Sequence, residues 1–261
     1  MANSRVTELL KCLAYRGSVL QSIREGIFDS HKMADEIGKS RSAVDRDIRI
    51  LKDNGYIHEH RGEYELTRFG EYALELYELA DPLGRTEQIV PHLPSGSPIK
   101  LLKDASIRQS GGTVPQRPID HVEDLIRAAD KIKVIAPVMF PSITDSLVEG
   151  VQNRKLTANV LVSNDVLDEL WSTYPEEVQT CLRSGTCTLQ QTDVKLSFGL
   201  VIADNEIMCL GVCDNSLRLL GTVTNSSEDA VVWGIKTFQE YRDTSDEVFL
   251  RGTTRQVALL D

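Results

Sequence analysis

The chain has 261 residues, of which 41% are hydrophobic and 26% are charged, a composition typical of a globular protein. No apolar run approaches the roughly 18 residues that span a bilayer, and the first residues show no signal-peptide pattern, so we expect a cytoplasmic protein without membrane contact. The formal net charge of −10 excludes non-specific attraction to phosphates as the main source of any nucleic-acid affinity.

The first residues of the chain predict helices. Apolar side chains recur with helical spacing over residues 6–27, as one helix or as two. A short helix is predicted over residues 30–37, where Asp29 or Ser30 supplies the N-cap and Gly38 ends the helix.

The next helix begins after Ser40, which caps it, and ends at Asn54-Gly55. Two alternating segments, residues 56–60 and 63–67, flank Arg61-Gly62 and predict a β-hairpin. This order of elements is that of a winged helix-turn-helix, in which the second helix enters the DNA major groove and the hairpin contacts the backbone. The buried stripe of the second helix is predicted at Val44, Ile48 and Leu51.

The side chains that would contact DNA follow from this geometry, because only the first two turns of a recognition helix point into the groove. Arg41 and Arg46 could each contact guanine O6 and N7 or clamp phosphates. Asp45 and Asp47 lie on the same turns, and Arg61 at the hairpin tip suits a phosphate or the minor groove. The predicted DNA-binding residues are Lys39, Ser40, Arg41, Ser42, Ala43, Arg46, Arg49 and Arg61.

The helix after the hairpin, residues 68–79, carries Tyr72, Leu76 and Leu79 on one face. One recognition helix covers only half of a two-fold symmetric site, so we expect a homodimer. Either this apolar face or the C-terminal part of the chain could supply the interface.

We predict three parts: a winged helix-turn-helix domain over residues 1–80, a linker region over 81–117 and an α/β domain over 118–261. The linker region is rich in proline and glycine, but Leu101 and Leu102 indicate that part of it packs. In the C-terminal part, helical patterns alternate with short apolar strands, which predicts a mixed sheet with an antiparallel portion. The predicted strands span residues 132–137, 158–162, 186–191, 196–203 and 207–213.

A small-molecule effector would bind where strands end and loops converge. Lys195 and Arg218 are the only cations between residues 184 and 235, which admits an anionic metabolite, although both could equally be solvated surface charges. The candidate effector-binding residues are Met139, Ser163, Asn164, Lys195, Phe198 and Arg218.

The five cysteines are scattered and do not form a disulfide framework, so we expect free, buried thiols in a reducing compartment. An alternative is a redox or metal sensor in which Cys181 and Cys187 join Cys209 or Cys213. Zinc sites usually show close Cys pairs on turns, which this sequence lacks, so we expect neither a metal nor a cofactor.

The N-terminal part resembles the winged-helix domains of archaeal transcriptional regulators. The resemblance lies in Met-Ala-Asp-Glu-Ile-Gly-Lys-Ser-Arg-Ser-Ala-Val at residues 33–44 and in Leu-Lys-Asp-Asn-Gly-Tyr-Ile at residues 51–57. It implies binding to double-stranded promoter or operator DNA.

The C-terminal part resembles a sensor-like middle domain first associated with a methanogenesis regulator and widespread in archaea, including halophiles. The matching stretches are Lys-Val-Ile-Ala-Pro-Val at 133–138, Asn-Val-Leu-Val-Ser-Asn-Asp-Val-Leu at 159–167, Tyr-Pro-Glu-Glu-Val at 174–178 and Ala-Val-Val-Trp-Gly-Ile-Lys-Thr-Phe-Gln-Glu-Tyr-Arg at 230–242. Such domains are similar to phospholipase D-type folds, whose chemistry needs a nucleophilic histidine. The last of the five histidines is His121, so we expect a non-catalytic fold and no enzyme.

The sequence therefore predicts a two-domain protein, a winged helix-turn-helix followed by an α/β mixed-sheet domain, that acts as a sequence-specific transcriptional regulator. We expect a homodimer controlled by a small-molecule effector. The competing interpretation is a protein–protein interaction module whose winged helix does not bind DNA, which the acidic net charge slightly favours.

Overall fold

The computed structural model describes residues 2–111, 116–153 and 156–250. The chain divides into two compact units, Met1–Arg85 and Thr86–Asp261.

The first unit consists of four helices and one hairpin. The apolar pattern over residues 6–27 belongs to one continuous helix rather than two, and the helix after the hairpin continues to Arg85, beyond the predicted end at Leu79. The elements are α1 (Ala2–Arg24), α2 (Ser30–Ile37), α3 (Arg41–Asp53), β1 (Ile57–His60), β2 (Glu63–Leu66) and α4 (Arg68–Arg85).

Local capping fixes the turn between α2 and α3. The Asp29 carboxylate accepts hydrogen bonds from the backbone N–H groups of His31 and Lys32, so Asp29 rather than Ser30 caps α2. Gly38 ends α2 in the left-handed conformation, with φ of 68°, and Ser40 then caps α3. As predicted, Val44, Ile48 and Leu51 are buried against α1 and α2 in the core of this unit.

The second unit is built on an eight-stranded mixed sheet, β10-β6-β5-β4-β7-β8-β9-β3, in which β4, β5 and β6 are parallel and the other pairs are antiparallel. The strands are β3 (Ser106–Gln109), β4 (Lys131–Ala136), β5 (Thr157–Ser163), β6 (Cys187–Thr192), β7 (Phe198–Ala203), β8 (Ile207–Cys213), β9 (Leu219–Asn225) and β10 (Asp246–Glu247). The helices are α5 (Arg117–Ala128), α6 (Pro141–Gln152), α7 (Asn164–Thr173), α8 (Pro175–Ser184) and α9 (Glu228–Arg242).

Helices cover both faces of this sheet. Apolar side chains of α5, α6, α7 and α8 share one core with Val134, Val160 and Val201 of the central strands. On the opposite face, α9 approaches β7 and β8 closely at Gly234, where an added Cβ would lie 2.8 Å from the Met208 side chain. The mixed α/β architecture predicted from the sequence is confirmed.

The segment predicted as a linker contributes to this second unit. It contains two short 3-10 helices, Val90–His92 and Ile99–Leu102, and the edge strand β3, which pairs with β9. Leu101 and Leu102 are buried, as their apolar character indicated. Strands β3, β9 and β10 were not predicted, because β3 and β10 have only four and two residues and β9 mixes leucine and valine with glycine, threonine and asparagine. Residues 112–115 lie outside the described part of the chain.

The expectation of five free cysteines is wrong for one pair. Cys181, near the end of α8, and Cys187, at the start of β6, form a disulfide across a Cα–Cα distance of 5.2 Å. The tight turn at Gly185, which has φ of 73°, brings the two residues together. Cys12, Cys209 and Cys213 are free thiols.

Candidate nucleic-acid interface

The outer face of α3 carries the polar residues predicted to read DNA. Ser40 caps the helix by accepting a hydrogen bond from the backbone N–H of Ala43, and its hydroxyl lies 3.2 Å from that of Ser42. The side chains of Ser40, Ser42, Arg41, Arg46 and Arg49 are exposed, and Ala43 is half-buried. The first two turns of the helix thus present small and basic side chains to solvent, together with the exposed carboxylate of Asp45.

The arginines of this face are available to a ligand. Arg41 makes only a long contact, with Nε 3.9 Å from the Asp45 carboxylate. Within the described residues, Arg46, Arg49 and Arg61 form no ion pair. Three exposed guanidinium groups without partners in the fold can each donate paired hydrogen bonds to a phosphate or to a guanine edge.

Two residues placed on the DNA-facing side by sequence reasoning have a different role. Asp47 is 4% exposed and faces inward, with its two carboxylate oxygens 3.1 Å from Arg16 Nε and 2.9 Å from Lys39 Nζ. Lys39 also donates a hydrogen bond to the backbone carbonyl of Tyr15. Lys39 and Asp47 therefore tie the turn and α3 to α1.

The wing is a two-residue hairpin with a basic tip. Arg61 and Gly62 have φ of 54° and 86°, the positive values that a tight type I′ turn requires. Lys52 of α3 pairs with Glu59 of β1 at 2.7 Å, and this hydrogen bond raises the pKa of Lys52. The pair links the wing to the helix that it flanks. The strands beside the tip carry acidic side chains, Glu59, Glu63 and Glu65.

Helix α4 has a second apolar face that is largely exposed, although Phe69 at its start also contacts the buried Tyr56, with ring centroids 4.8 Å apart. Ala73 and Leu74 are buried, whereas Phe69, Tyr72 and Leu76 are each about half exposed. The exposed stripe continues through the half-buried Leu79 and Leu83. We call these five residues the α4 stripe: Phe69, Tyr72, Leu76, Leu79 and Leu83. Their alternating spacing of three and four residues is that of a helix that packs against another helix along a seam.

In the second unit, the six candidate effector residues do not form one site. The Ser163 hydroxyl caps α7, and the Asn164 amide donates a hydrogen bond to Asp193. The Arg218 guanidinium pairs with Asp214 at 2.7 Å, and hydrogen bonds from Arg218 lower the pKa of that carboxyl. Lys195 is exposed.

The remaining two candidates lie on opposite sides of the sheet. Phe198 is buried edge-on against Tyr241 of α9, with ring centroids 5.7 Å apart. Met139 lies on the other face and lines an apolar cavity beneath α5 and α6. Sequence reasoning missed this cavity, because most of the residues that line it are apolar or glycine and carry no chemical signature.

The described residues contain no group of three or more histidine, cysteine or acidic side chains that could hold a metal ion. Across the same part of the chain, no helix combines the length and hydropathy needed to cross a membrane.

Two family models match the chain. The HVO_A0261 N-terminal domain matches residues 5–86, and the middle domain of the methanogenesis regulatory protein FilR1 matches residues 115–244. The chain belongs to the archaeal winged-helix transcriptional regulators that carry a FilR1-type middle domain. This FilR1-type match begins just before α5 and ends just after α9, so it covers the central strands of the sheet and the helices on both faces. The resemblance stated from the sequence is confirmed.

Similar solved structures are distant. TrmBL2, described as an archaeal chromatin protein with a novel mode of DNA binding, is 14% identical, with 80% of this chain and 83% of that chain covered and a TM-score of 0.45. Nuc of Salmonella typhimurium, a phospholipase D family member, is 13% identical over 56% of this chain and 99% of its own, with a TM-score of 0.42. NucT of Helicobacter pylori is 8% identical over 55% and 98%, with a TM-score of 0.44. At these TM-scores the likeness carries no functional inference, and no curated protein sequence matches the FilR1-type regulator.

Proposed function

We propose that this cytoplasmic regulator binds double-stranded DNA with sequence preference, as a homodimer whose affinity is controlled by a small-molecule effector on the second unit. The observation that carries the proposal is the outer face of α3, where Arg41, Arg46 and Arg49 are exposed and lack close ion pairs among the described residues. Arginines at the start of a capped helix, beside a hairpin with an arginine at its tip, match the needs of major-groove recognition.

The part of the DNA that each of these arginines would contact follows from its position. Arg41 and Arg46 lie on the first two turns of α3, the part of a recognition helix that reaches base edges. Arg49 is one turn further along, and Arg61 is at the wing tip, so both suit phosphate contacts. Because the net charge of the whole chain is −10, affinity for DNA has to come from this local cluster of arginines rather than from the electrostatic field of the whole protein.

Dimerisation would double the contact with a two-fold symmetric site. The α4 stripe supports this part of the proposal, since a second copy of the same helix can pack against it with self-complementary apolar side chains. The second unit is the alternative source of an interface.

A second candidate function is a protein–protein interaction module. The acidic residues Glu63 and Glu65 flank the wing tip, where they would repel phosphate and suit a basic protein partner. We do not propose an enzyme, because phospholipase D-type chemistry needs a nucleophilic histidine followed closely by a lysine, and neither histidine of the second unit, His92 or His121, has a lysine within the next seven residues.

The test is enrichment of binding sites from a pool of random DNA duplexes, followed by affinity measurements on the enriched sequence across a salt series. The double variant Arg41→Ala/Arg46→Ala should lose at least tenfold in affinity, since each good base contact contributes roughly 1–3 kcal/mol. The control is Arg183→Ala/Arg242→Ala, which removes the same charge from exposed positions of the second unit. Failure to enrich any sequence, or equal affinities for both double variants, would favour the protein-interaction function.

A further inference from the structure

On the face of the sheet that α5 and α6 cover, two paired residues of neighbouring strands are glycines and carry no side chain. Gly199 of β7 pairs directly with Gly211 of β8, and Gly211 pairs in turn with Thr222 of β9. Directly paired residues on neighbouring strands point to the same face of a sheet. Two adjacent strands therefore contribute no side chain at this level, and the first side chain beyond them is that of Thr222.

The missing side chains leave a cavity of about 70 Å³ between the sheet and the helices above it. Its walls come from α5, α6 and the segment after β4, and include Ile119, Val122, Met139, Phe140, Ile143 and Leu147. That volume has room for several water-sized groups. An apolar cavity that could be filled by two ordinary side chains, but is not, costs stability relative to a packed core.

Thr222 gives this cavity a polar anchor. The residue is 0% exposed, and its hydroxyl has no hydrogen-bond partner within the described part of the chain. A buried hydroxyl without a partner costs about 1–3 kcal/mol, so native proteins rarely keep one without a use. Two residues along the same strand, the Thr224 hydroxyl is satisfied by contacts with Cys209 Sγ at 3.4 Å and His121 Nε2 at 3.0 Å.

The electrostatics of the cavity select a neutral ligand. No charged side chain of the described residues lines it, and burial raises the pKa of both Cys209 and Cys213 to about 11, so these lining thiols stay neutral at physiological pH. Burying an uncompensated charge here would be strongly unfavourable. The anionic metabolite considered from Lys195 and Arg218 does not fit this site, since neither residue lines it.

We propose that this cavity binds a small, uncharged and mostly apolar molecule that carries one hydrogen-bonding group, which pairs with the Thr222 hydroxyl. The inference deepens the proposed function and rests on it, because it names the site and the chemical class of the effector. The apolar body of the ligand occupies the space above Gly199 and Gly211, and its polar atom satisfies the buried hydroxyl of Thr222.

The first experiment compares phenol with toluene, two molecules of nearly equal size that differ by a hydroxyl and a methyl group. Calorimetric titration of the full chain without DNA should show phenol binding about tenfold more tightly than toluene, the contribution of one net hydrogen bond. Thr222→Val replaces the hydroxyl by a methyl group of similar shape, and it should remove or reverse that preference. Because the variant removes an unpaired buried polar group, it should fold at least as well as the wild type.

A second pair of variants tests the space itself. An added Cβ at Gly211 would lie 3.5 Å from both the Gly199 Cα and the Leu219 side chain, which is ordinary contact, so Gly211→Ala can be accommodated. Gly211→Val adds two further methyl groups on the face of the sheet that lines the cavity. Gly211→Ala should weaken the binding of both probes, and Gly211→Val should abolish it. The melting temperature of each variant should stay at or above that of the wild type. Absence of binding by either probe at millimolar concentration would overturn the proposal, as would affinities unchanged in Thr222→Val and Gly211→Val.

The last arm separates the cavity from the proposed function. DNA affinity is measured with and without saturating phenol, using wild type and Gly211→Val. A shift in DNA affinity for the wild type alone supports an effector site. Probe binding by a protein that binds no DNA would leave the cavity in place and overturn the DNA-binding function. Probe binding that leaves DNA affinity unchanged would overturn the effector role of this cavity.

Discussion

Lys39 Nζ lies 2.9 Å from the Asp47 carboxylate, so the residue just before the N-cap of α3 is bonded to the buried side of the same helix. Arg16 of α1 binds the other oxygen of that carboxylate at 3.1 Å. One buried aspartate thus connects the turn, α1 and α3. This connection fixes the orientation of α3 relative to α1. It therefore positions the exposed arginines of α3 without itself contacting a ligand.

We expect Asp47→Ala to destabilise the first unit by about 3 kcal/mol, since removal of one partner leaves two charges without compensation in a partly buried environment. Urea unfolding measures the effect. The matched control is Asp45→Ala, two residues away on the exposed side of α3, which should change stability by less than about 0.5 kcal/mol. Equal effects of the two substitutions would mean that the Asp47 ion pairs contribute little.

Arg61→Ala should weaken binding uniformly across DNA sequences and reduce the slope of log K against log salt by about one, because the wing tip is placed for a phosphate contact. Arg46→Ala should instead relax preference at one base pair, with a loss of about 1–3 kcal/mol for the preferred base. Competition binding with a panel of singly substituted sites distinguishes the two behaviours. An Arg61→Ala variant with an altered base preference would contradict the phosphate assignment.

The case of Asp47 shows why the winged-helix fold was predictable while part of its site was not. Val44, Ile48 and Leu51 reveal the buried stripe of α3, and Asp47 occupies the i+3 position of that same stripe. A charged residue at a core position signals a buried ion pair. Its partner Arg16 is 31 residues away on another helix, and nothing in the sequence spacing identifies it.

The second unit shows the complementary limit. Long apolar strands such as β4, β5 and β8 were recognisable from composition, because buried parallel or central strands are nearly continuous hydrophobic runs. The cavity depends on Gly199, Gly211 and Thr222 coming into register across three strands. Register between strands is set by the tertiary fold, so the sequence alone gave no sign that these residues are neighbours.

If the α4 stripe forms the dimer interface, Leu76→Glu should convert the dimer to a monomer, because it places two like charges at the centre of an apolar seam. Sedimentation velocity measures the change in mass. Glu75→Gln, on the neighbouring exposed position, is the control and should leave the dimer intact. A wild-type protein that is monomeric at high concentration would remove this interface from the proposal.

The stability of the second unit should fall as the pH drops below about 6.5, the ordinary pKa of a histidine. Burial, helped by the nearby Arg108, lowers the pKa of His121 in the folded protein, so the unfolded chain takes up the proton first on acidification. Asp124 acts in the opposite direction but does not reverse the shift. The melting temperature of wild type should therefore decline between pH 7 and pH 5 more steeply than that of His121→Gln. Parallel declines would show that His121 does not dominate this pH range.

Reduction of the disulfide should destabilise the second unit by about 2 kcal/mol, the entropy of closing a loop whose ends, Cys181 and Cys187, are six residues apart. Chemical unfolding with and without a thiol reductant measures this. The reductant should not affect the Cys181→Ser/Cys187→Ser variant, whereas Cys12→Ser should respond as the wild type does, since Cys12 is a free thiol in the first unit. Both cysteines also line an apolar pocket together with Met139 and Leu147, and these last two residues line the phenol cavity as well. Measuring phenol affinity with and without the reductant therefore shows whether the oxidation state of the cysteines alters that cavity. An unfolding curve that the reductant leaves unchanged in wild type would mean that the two cysteines are not bonded in solution.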